Sequence, residues 1–242
     1  MTKILVTGAN GCVGSALDDL DLYDPNNDSI FKFIDRSSCN LLNREHTINL
    51  FKSIAPDSVI HLAGLVPGFY NINKVSSFSD NIKINENVFE ASHLAGAQRG
   101  LFCLSINMFA DNPSRFPLDE SMIFEGTLGG PFAGYGHSKR AMAFQCDNYN
   151  QQYSRQFFGI VPCNIFGPTD NPNSGRLIPS LIGKFKQAIK DNTDVVLNGS
   201  GKPLRQFIYA PDLAQIIKHL ILNYTDTKPI ICSGDVEISI AD

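Results

Sequence analysis

The sequence predicts an α/β fold built on a doubly wound parallel sheet, and three observations predict it. A short apolar strand at the N-terminus runs straight into a glycine-rich turn. Short apolar runs then alternate with helix-period segments through about residue 165. After Gly167 the alternation stops, and a loop-rich stretch opens a smaller second part. The expected division is a nucleotide-binding domain over residues 1–166 and a partial substrate-binding lobe over 167–242, with some later segments returning to the sheet.

The elements follow in order. Ile4–Thr7 reads as the first strand. Gly8-Ala9-Asn10-Gly11-Cys12-Val13-Gly14 then spells G-x-x-G-x-x-G and opens a helix near Val13–Leu17. Gly8 permits the tight turn, Gly11 lets backbone approach a pyrophosphate, and Gly14 allows close helix–strand contact. The helix N-terminus offers free N–H groups to the anion. A strand, this loop and a helix in that order predict a dinucleotide-binding Rossmann unit. Ile30–Asp35 reads as a second strand, His46–Ile54 as a short amphipathic helix, and Asp57–Gly64 as a third strand. Asp80–Gly96 carries Ile82, Ile84, Val88, Phe89 and Ala91–Leu94 at roughly helical spacing. Arg99–Ser105 is the next strand, Gly136–Tyr153 a helix, and Phe157–Gly167 one more strand. In the second part, Ile178–Lys190 reads as an amphipathic helix. Val195–Tyr224 gives a strand, a turn and a helix, which would cap the sheet's ligand edge. The closing "EISIAD" looks like the entry to a further helix, so the lobe reads as incomplete, either a naturally short chain or a truncated one.

Composition narrows the function. A chain that is 43% hydrophobic and 18% charged can bury a core and stay in solution. Its net charge of −4, with no basic stretch, argues against nucleic-acid binding. No apolar run is long enough to cross a membrane, and the one after Lys3 is too short for a signal peptide. Cysteines 12, 39, 103, 146, 163 and 232 form no C-x-x-C pair and no zinc spacing. Reduced thiols in a cytoplasmic, metal-free enzyme fit.

Two clusters carry chemistry. Asp35 and Arg36 end the second strand and point in opposite directions. An acid there bonds a ribose 2′-hydroxyl and favours NAD, whereas an arginine pairs with a 2′-phosphate and favours NADP. Ser105 ends the fourth strand, and Tyr135 and Lys139 stand four apart, on one helix face. A nearby ammonium and the cofactor's positive charge lower the phenol pKa. Tyr135 can then give a proton to a carbonyl oxygen that Ser105 also holds, as hydride arrives at carbon.

These residues resemble the extended short-chain dehydrogenase/reductases that act on nucleotide sugars, and among them the GDP-L-fucose synthases, which are 3,5-epimerase-4-reductases. The likeness runs along nearly the whole chain, in "TGANGCVGSAL", "YGHSKRA", "YNQQY", "VPCNIFGPTDN", "RLIPSLIGKF" and "GSGKPLRQFIYAPDLA". It implies Ser105, Tyr135 and Lys139 as catalytic residues. It implies a cofactor site of Gly8, Asn10, Gly11, Cys12, Val13, Gly14, Arg36, Leu41, Ala63, Gly64, Pro162, Asn164 and Ile165, with Tyr135 and Lys139. Arg36 tilts the choice to NADP, and Asp35 leaves NAD open. For the nucleotide-sugar substrate it implies Asn107, Asn164, Arg176, Lys184 and Arg205, the last two on the diphosphate. It also implies a homodimer through the helices Asp80–Ala97 and Gly136–Tyr153.

The chain departs from this family at the epimerisation positions. Asn107 stands where the family has a cysteine, and Arg176 where it has a histidine. Inverting a carbon beside a ketone needs one group to take a proton and another to return one. An asparagine has no proton to exchange near neutral pH, and an arginine keeps its own, with a side-chain pKa of roughly 12.5 or more. The expectation is therefore a 4-keto reductase with 3,5-epimerase activity weak or absent. The alternatives are a full epimerase-reductase using another acid–base pair, with Cys103, His137 and Cys163 as candidates, and a non-catalytic cofactor-binding paralogue. A 4,6-dehydratase would need an acidic pair after Ser105, and Ile106-Asn107 provide none. Asn198 stands where the family has a tryptophan against the sugar nucleotide, which weakens the substrate assignment.

Overall fold

The computed structural model describes residues 2–22, 30–66, 74–197 and 199–242. Its centre is a six-stranded parallel sheet in the order β2-β1-β3-β4-β5-β8. The strands are β1 (Ile4–Thr7), β2 (Phe31–Ile34), β3 (Ser58–His61), β4 (Arg99–Cys103), β5 (Gln156–Pro162) and β8 (Ile230–Cys232). β1 and β3 are buried at every residue, as continuous apolar strands covered on both faces must be.

The pleat sends alternate side chains to two separate cores. Leu5, Val59, Phe102 and Phe157 meet Phe51 of α2 (Arg44–Ile54), Phe89 of α3 (Lys74–Leu94) and Met142 of α4 (Ala133–Tyr153). Ile4, Val6, Ile60 and Phe158 meet Leu17 of α1 (Cys12–Leu22) and Leu213 and Ile217 of α6 (Ala210–Asn223). The first core is aromatic, with Phe89 and Phe102 stacked at 4.1 Å. Local chemistry sets the helix ends: the Asn43 side chain accepts from the His46 N–H at 2.9 Å to start α2, and Ala55 stops it in the left-handed region.

The fold class matches the expectation, but three elements differ. The single strand expected over Phe157–Gly167 is two, broken at Cys163. β5 stays in the main sheet, while β6 (Asn164–Phe166) pairs with β7 (Leu204–Tyr209) in a second, three-stranded sheet. "EISIAD" enters no helix: β9 (Glu237–Ser239) pairs antiparallel with β7, placing Arg205 opposite Ile238. α3 begins at Lys74, a turn and a half before the expected start. β6 pairs in the second sheet, while the later α6 and β8 pack on the first. α5 (Leu177–Asp191) has one buried side chain, Pro179. No helix among the described residues is long and apolar enough to cross a membrane.

Sheet order reverses between β1 and β3, since the chain turns to β2 on one side and to β3 on the other. Ligands of such sheets bind at that switch point, outside the strand C-termini. The glycine loop, Ala63-Gly64, Ser105 and Pro162-Cys163 all lie at or just beyond strand C-termini at this edge.

Candidate active site

The glycine loop is held from both sides. The N–H groups of Gly8 and Ala9 donate to the Ile34 carbonyl at 3.1 and 3.2 Å. Gly8 has φ +82°, and a Cβ there would come within 2.7 Å of the Ala63 nitrogen. A Cβ on Gly14 would run into the Gly8 carbonyl oxygen, so Gly14 serves helix–loop contact and only Gly11 is exposed. Because α1 starts at Cys12, the N–H groups of Cys12, Val13 and Gly14 have no intrahelical acceptor. They suit a pyrophosphate.

Asp35 is committed within the protein. Its Oδ1 accepts from the N–H and hydroxyl of Ser37 (2.9 and 2.7 Å) and of Ser38 (both 2.9 Å). Its Oδ2 accepts from Asn10 Nδ2 at 2.6 Å. The Ser37 hydroxyl and the other donors hold its carboxyl well below the usual carboxylate range. Asp35 thus ties the loop after β2 to the glycine loop. Arg36 between these anchors is exposed, with no hydrogen-bond or ion-pair partner among the described residues. Leu41 is half-buried against the aromatic core and gives its carbonyl to Asn87 Nδ2 at 2.8 Å.

Ser105, Tyr135 and Lys139 converge. Tyr135 and Lys139 lie on the first turns of α4 and are both buried. Lys139 Nζ donates to the Cys103 carbonyl at 2.6 Å and sits 5.4 Å from the Tyr135 ring centroid. Burial pushes the Tyr135 phenol well above its ordinary value, and a charged Cys103 would add to that; the hydrogen bond with Ser105 and the charge of Arg176 pull it back. Burial also pulls the Lys139 ammonium below its ordinary value. Behind them His61 is fully buried, with Nδ1 at 2.7 Å from Thr7 Oγ1 and Nε2 at 3.3 Å from Asn85 Oδ1. Desolvation, then the charge of Lys139, lowers it to about 3, so it is a neutral imidazole. Asn81 accepts from the Leu65 N–H at 2.8 Å and donates to the Leu65 carbonyl at 3.0 Å, fixing the loop after β3.

The two residues that the resemblance sets at the epimerisation positions, Asn107 and Arg176, lie near this group. Asn107 is exposed in a single 3-10 turn, Ile106–Met108, and its Nδ2 lies 3.3 Å from Ser105 Oγ. It lines a cleft of about 350 Å³ with Phe109, Asp111 and Phe132. Arg176 is ion-paired with Asp170, which is only 4% exposed and also accepts from the Gly167 N–H at 3.2 Å. The guanidinium is near enough to act on both Tyr135 and Cys12. Burial pushes the Cys103 and Cys163 thiols up, and His137 is exposed on α4. Pro162 is buried, Ile165 half-buried, and Asn164 Nδ2 donates to the Gln206 carbonyl at 3.0 Å. Lys184 and Arg205 are exposed, each bonded to a backbone carbonyl, of Val196 at 3.1 Å and Leu204 at 2.7 Å. Asn198 lies outside the described residues.

Sequence reasoning missed the Asp170 partner of Arg176, the Thr7–His61–Asn85 chain and the Cys103 carbonyl under Lys139. A histidine inside the apolar run "SVIHLAG" was the one available signal, since a buried imidazole needs partners.

Residues 4–232 match the NAD dependent epimerase/dehydratase family. The chain belongs to this family. Within it, a GDP-L-fucose synthase of Dictyostelium discoideum is 39% identical over 99% of this chain and 76% of the relative. A GDP-L-fucose synthetase of Naegleria fowleri, solved bound to NADP, superposes with a TM-score of 0.88 at 31% identity, over 97% of this chain and 77% of that one. A GDP-mannoheptose C4 reductase of Campylobacter jejuni, with NADP bound, gives 0.86 at 25% identity, over 99% and 82%. This member of the epimerase/dehydratase family is an NAD(P)-dependent oxidoreductase of the short-chain dehydrogenase/reductase type.

Proposed function

We propose that this chain is an NADPH-dependent 4-keto reductase of a GDP-linked 4-keto-6-deoxy sugar, with 3,5-epimerase activity weak or absent. One observation carries the proposal: Ser105, Tyr135 and Lys139 converge, while an amide and an ion-paired guanidinium occupy the two epimerisation positions. Bound NADPH supplies the hydride. Gly11 and the first N–H groups of α1 receive the pyrophosphate, Arg36 the 2′-phosphate, and Leu41, Ala63, Gly64, Pro162, Asn164 and Ile165 surround the rest. Asp35 weighs little for NAD, because its oxygens are engaged by Asn10, Ser37 and Ser38. Tyr135 gives its proton to the ketone oxygen, which Ser105 holds, and Lys139 keeps a positive charge against the phenol as it loses that proton. Lys184 and Arg205, both exposed, supply the positive charge for the diphosphate.

Neither Asn107 nor Arg176 can serve as the base or the acid of an epimerisation. The buried Cys103 and Cys163 are poor substitutes, because burial favours their neutral thiols. The alternative, a full GDP-L-fucose synthase, is favoured by the names of relatives near 39% identity. The six free thiols agree with a cytoplasmic enzyme, and exposed Leu94 and Phe144 on α3 and α4 with a homodimer through those helices. NADPH oxidation on GDP-4-keto-6-deoxymannose tests the activity. Protein that binds NADPH yet oxidises none on this or other 4-keto nucleotide sugars would overturn it in favour of a non-catalytic paralogue.

A further inference from the structure

We propose, resting on the reductase assignment above, that Asn107 is a positioning residue that fixes the direction of the Ser105 hydrogen bond, so that Ser105 only donates at the reacting ketone. A serine hydroxyl has one proton and two lone pairs. Asn107 addresses the Ser105 oxygen with two donors, its backbone N–H at 3.2 Å and its Nδ2 at 3.3 Å. With both lone pairs engaged, the Ser105 proton is left to point at Tyr135 or at the ketone oxygen. The Tyr135 proton is then free for the ketone.

The turn that carries Asn107 is fastened to the catalytic helix. A Cβ on Gly136, next to Tyr135, would run into the Asn107 carbonyl oxygen. Arg140 Nε donates to the Met108 carbonyl at 2.7 Å. Asn107 itself is exposed and lines the cleft, so its side chain supports no core. A cysteine at this position would offer only a weak S–H donor. The change from the family's cysteine thus removes a titratable group and adds a donor to Ser105 at one stroke.

Asn107→Asp keeps shape but replaces the amide donor with an acceptor that draws the Ser105 proton away. Asn107→Ala removes the donor alone. Each is measured for kcat and KM of ketone reduction across pH, alone and combined with Ser105→Ala. The expected loss in kcat is about fivefold for Asn107→Ala and at least about tenfold for Asn107→Asp, the worth of one hydrogen bond and of its reversal. The loss falls mainly on kcat and changes KM less, because the aimed hydrogen bond strengthens as charge develops on the ketone oxygen. The alkaline limb of kcat moves to higher pH, because the Tyr135 phenolate loses a donor. In the Ser105→Ala background neither substitution costs anything further. Losses that multiply in that background, or that fall on KM, would overturn the inference alone. No turnover by the unsubstituted chain would overturn the reductase assignment and this inference with it.

Discussion

The two sides of the site are built differently. On the cofactor and proton-transfer side, Tyr135, Lys139 and His61 are buried, and each is fixed by neighbours from other strands or helices. On the side of α5, β7 and β9, most side chains are exposed, and Lys184 and Arg205 lean on the backbone carbonyls of Val196 and Leu204. Chemistry that moves a proton needs fixed geometry and a desolvated environment. Recognition of a diphosphate can rest on mobile surface cations. On the proposed reading, the type of reaction is set by the parallel sheet and α4, and the choice of substrate by the open lobe.

The comparison breaks most sharply at Tyr135. Tyr135→Phe keeps the ring in its buried site and removes the proton, so kcat for ketone reduction should fall about 10²- to 10⁴-fold with the thermal midpoint unchanged. An effect on stability instead would make the hydroxyl structural. Next comes His61, whose buried imidazole is lowered to about 3. The unfolded chain takes up a proton below the ordinary histidine value of about 6.5, and the folded protein does not until near 3. Stability is therefore full above that ordinary value and falls as pH drops through this window, by on the order of 3 kcal/mol at a pH of about 4. Denaturant melts against pH, compared with His61→Asn, check this; equal slopes for the two proteins would remove His61 from the account. Arg36→Ala should raise the KM for NADPH by about tenfold or more and leave that for NADH nearly unchanged, because only one cofactor carries the 2′-phosphate. Lys184→Ala should have the smallest effect, a rise in substrate KM of a few-fold with kcat kept, as expected for an exposed charge. A loss in kcat there would show that the open lobe takes part in chemistry.

Much of the built side was legible in the sequence, because its signals are local. The glycine spacing, the apolar run of β1 and the Tyr135–Lys139 step lie within a few residues of one another. What could not be read depended on distant partners. β5 ends at Pro162 because Val161 pairs with Ile231 while Asn164 pairs with Phe207, and nothing near Cys163 announces the change of sheet. β9 has three residues, too few for a period, and exists through the edge of β7. The sequence left Asp35 and Arg36 to argue for different cofactors, and only the fold shows Asp35 bonded to Asn10, Ser37 and Ser38. Arg176 read as a lost histidine, and only the fold brings it to Asp170 and within reach of Tyr135.

The central claim is that reduction persists without epimerisation because positions 107 and 176 hold groups that do not exchange protons. The direct test is turnover of GDP-4-keto-6-deoxymannose with NADPH in D₂O, with the product read by NMR at C3 and C5. The account predicts NADPH oxidation with no deuterium at either carbon. Deuterium at C3 or C5 at a rate matching turnover would contradict it.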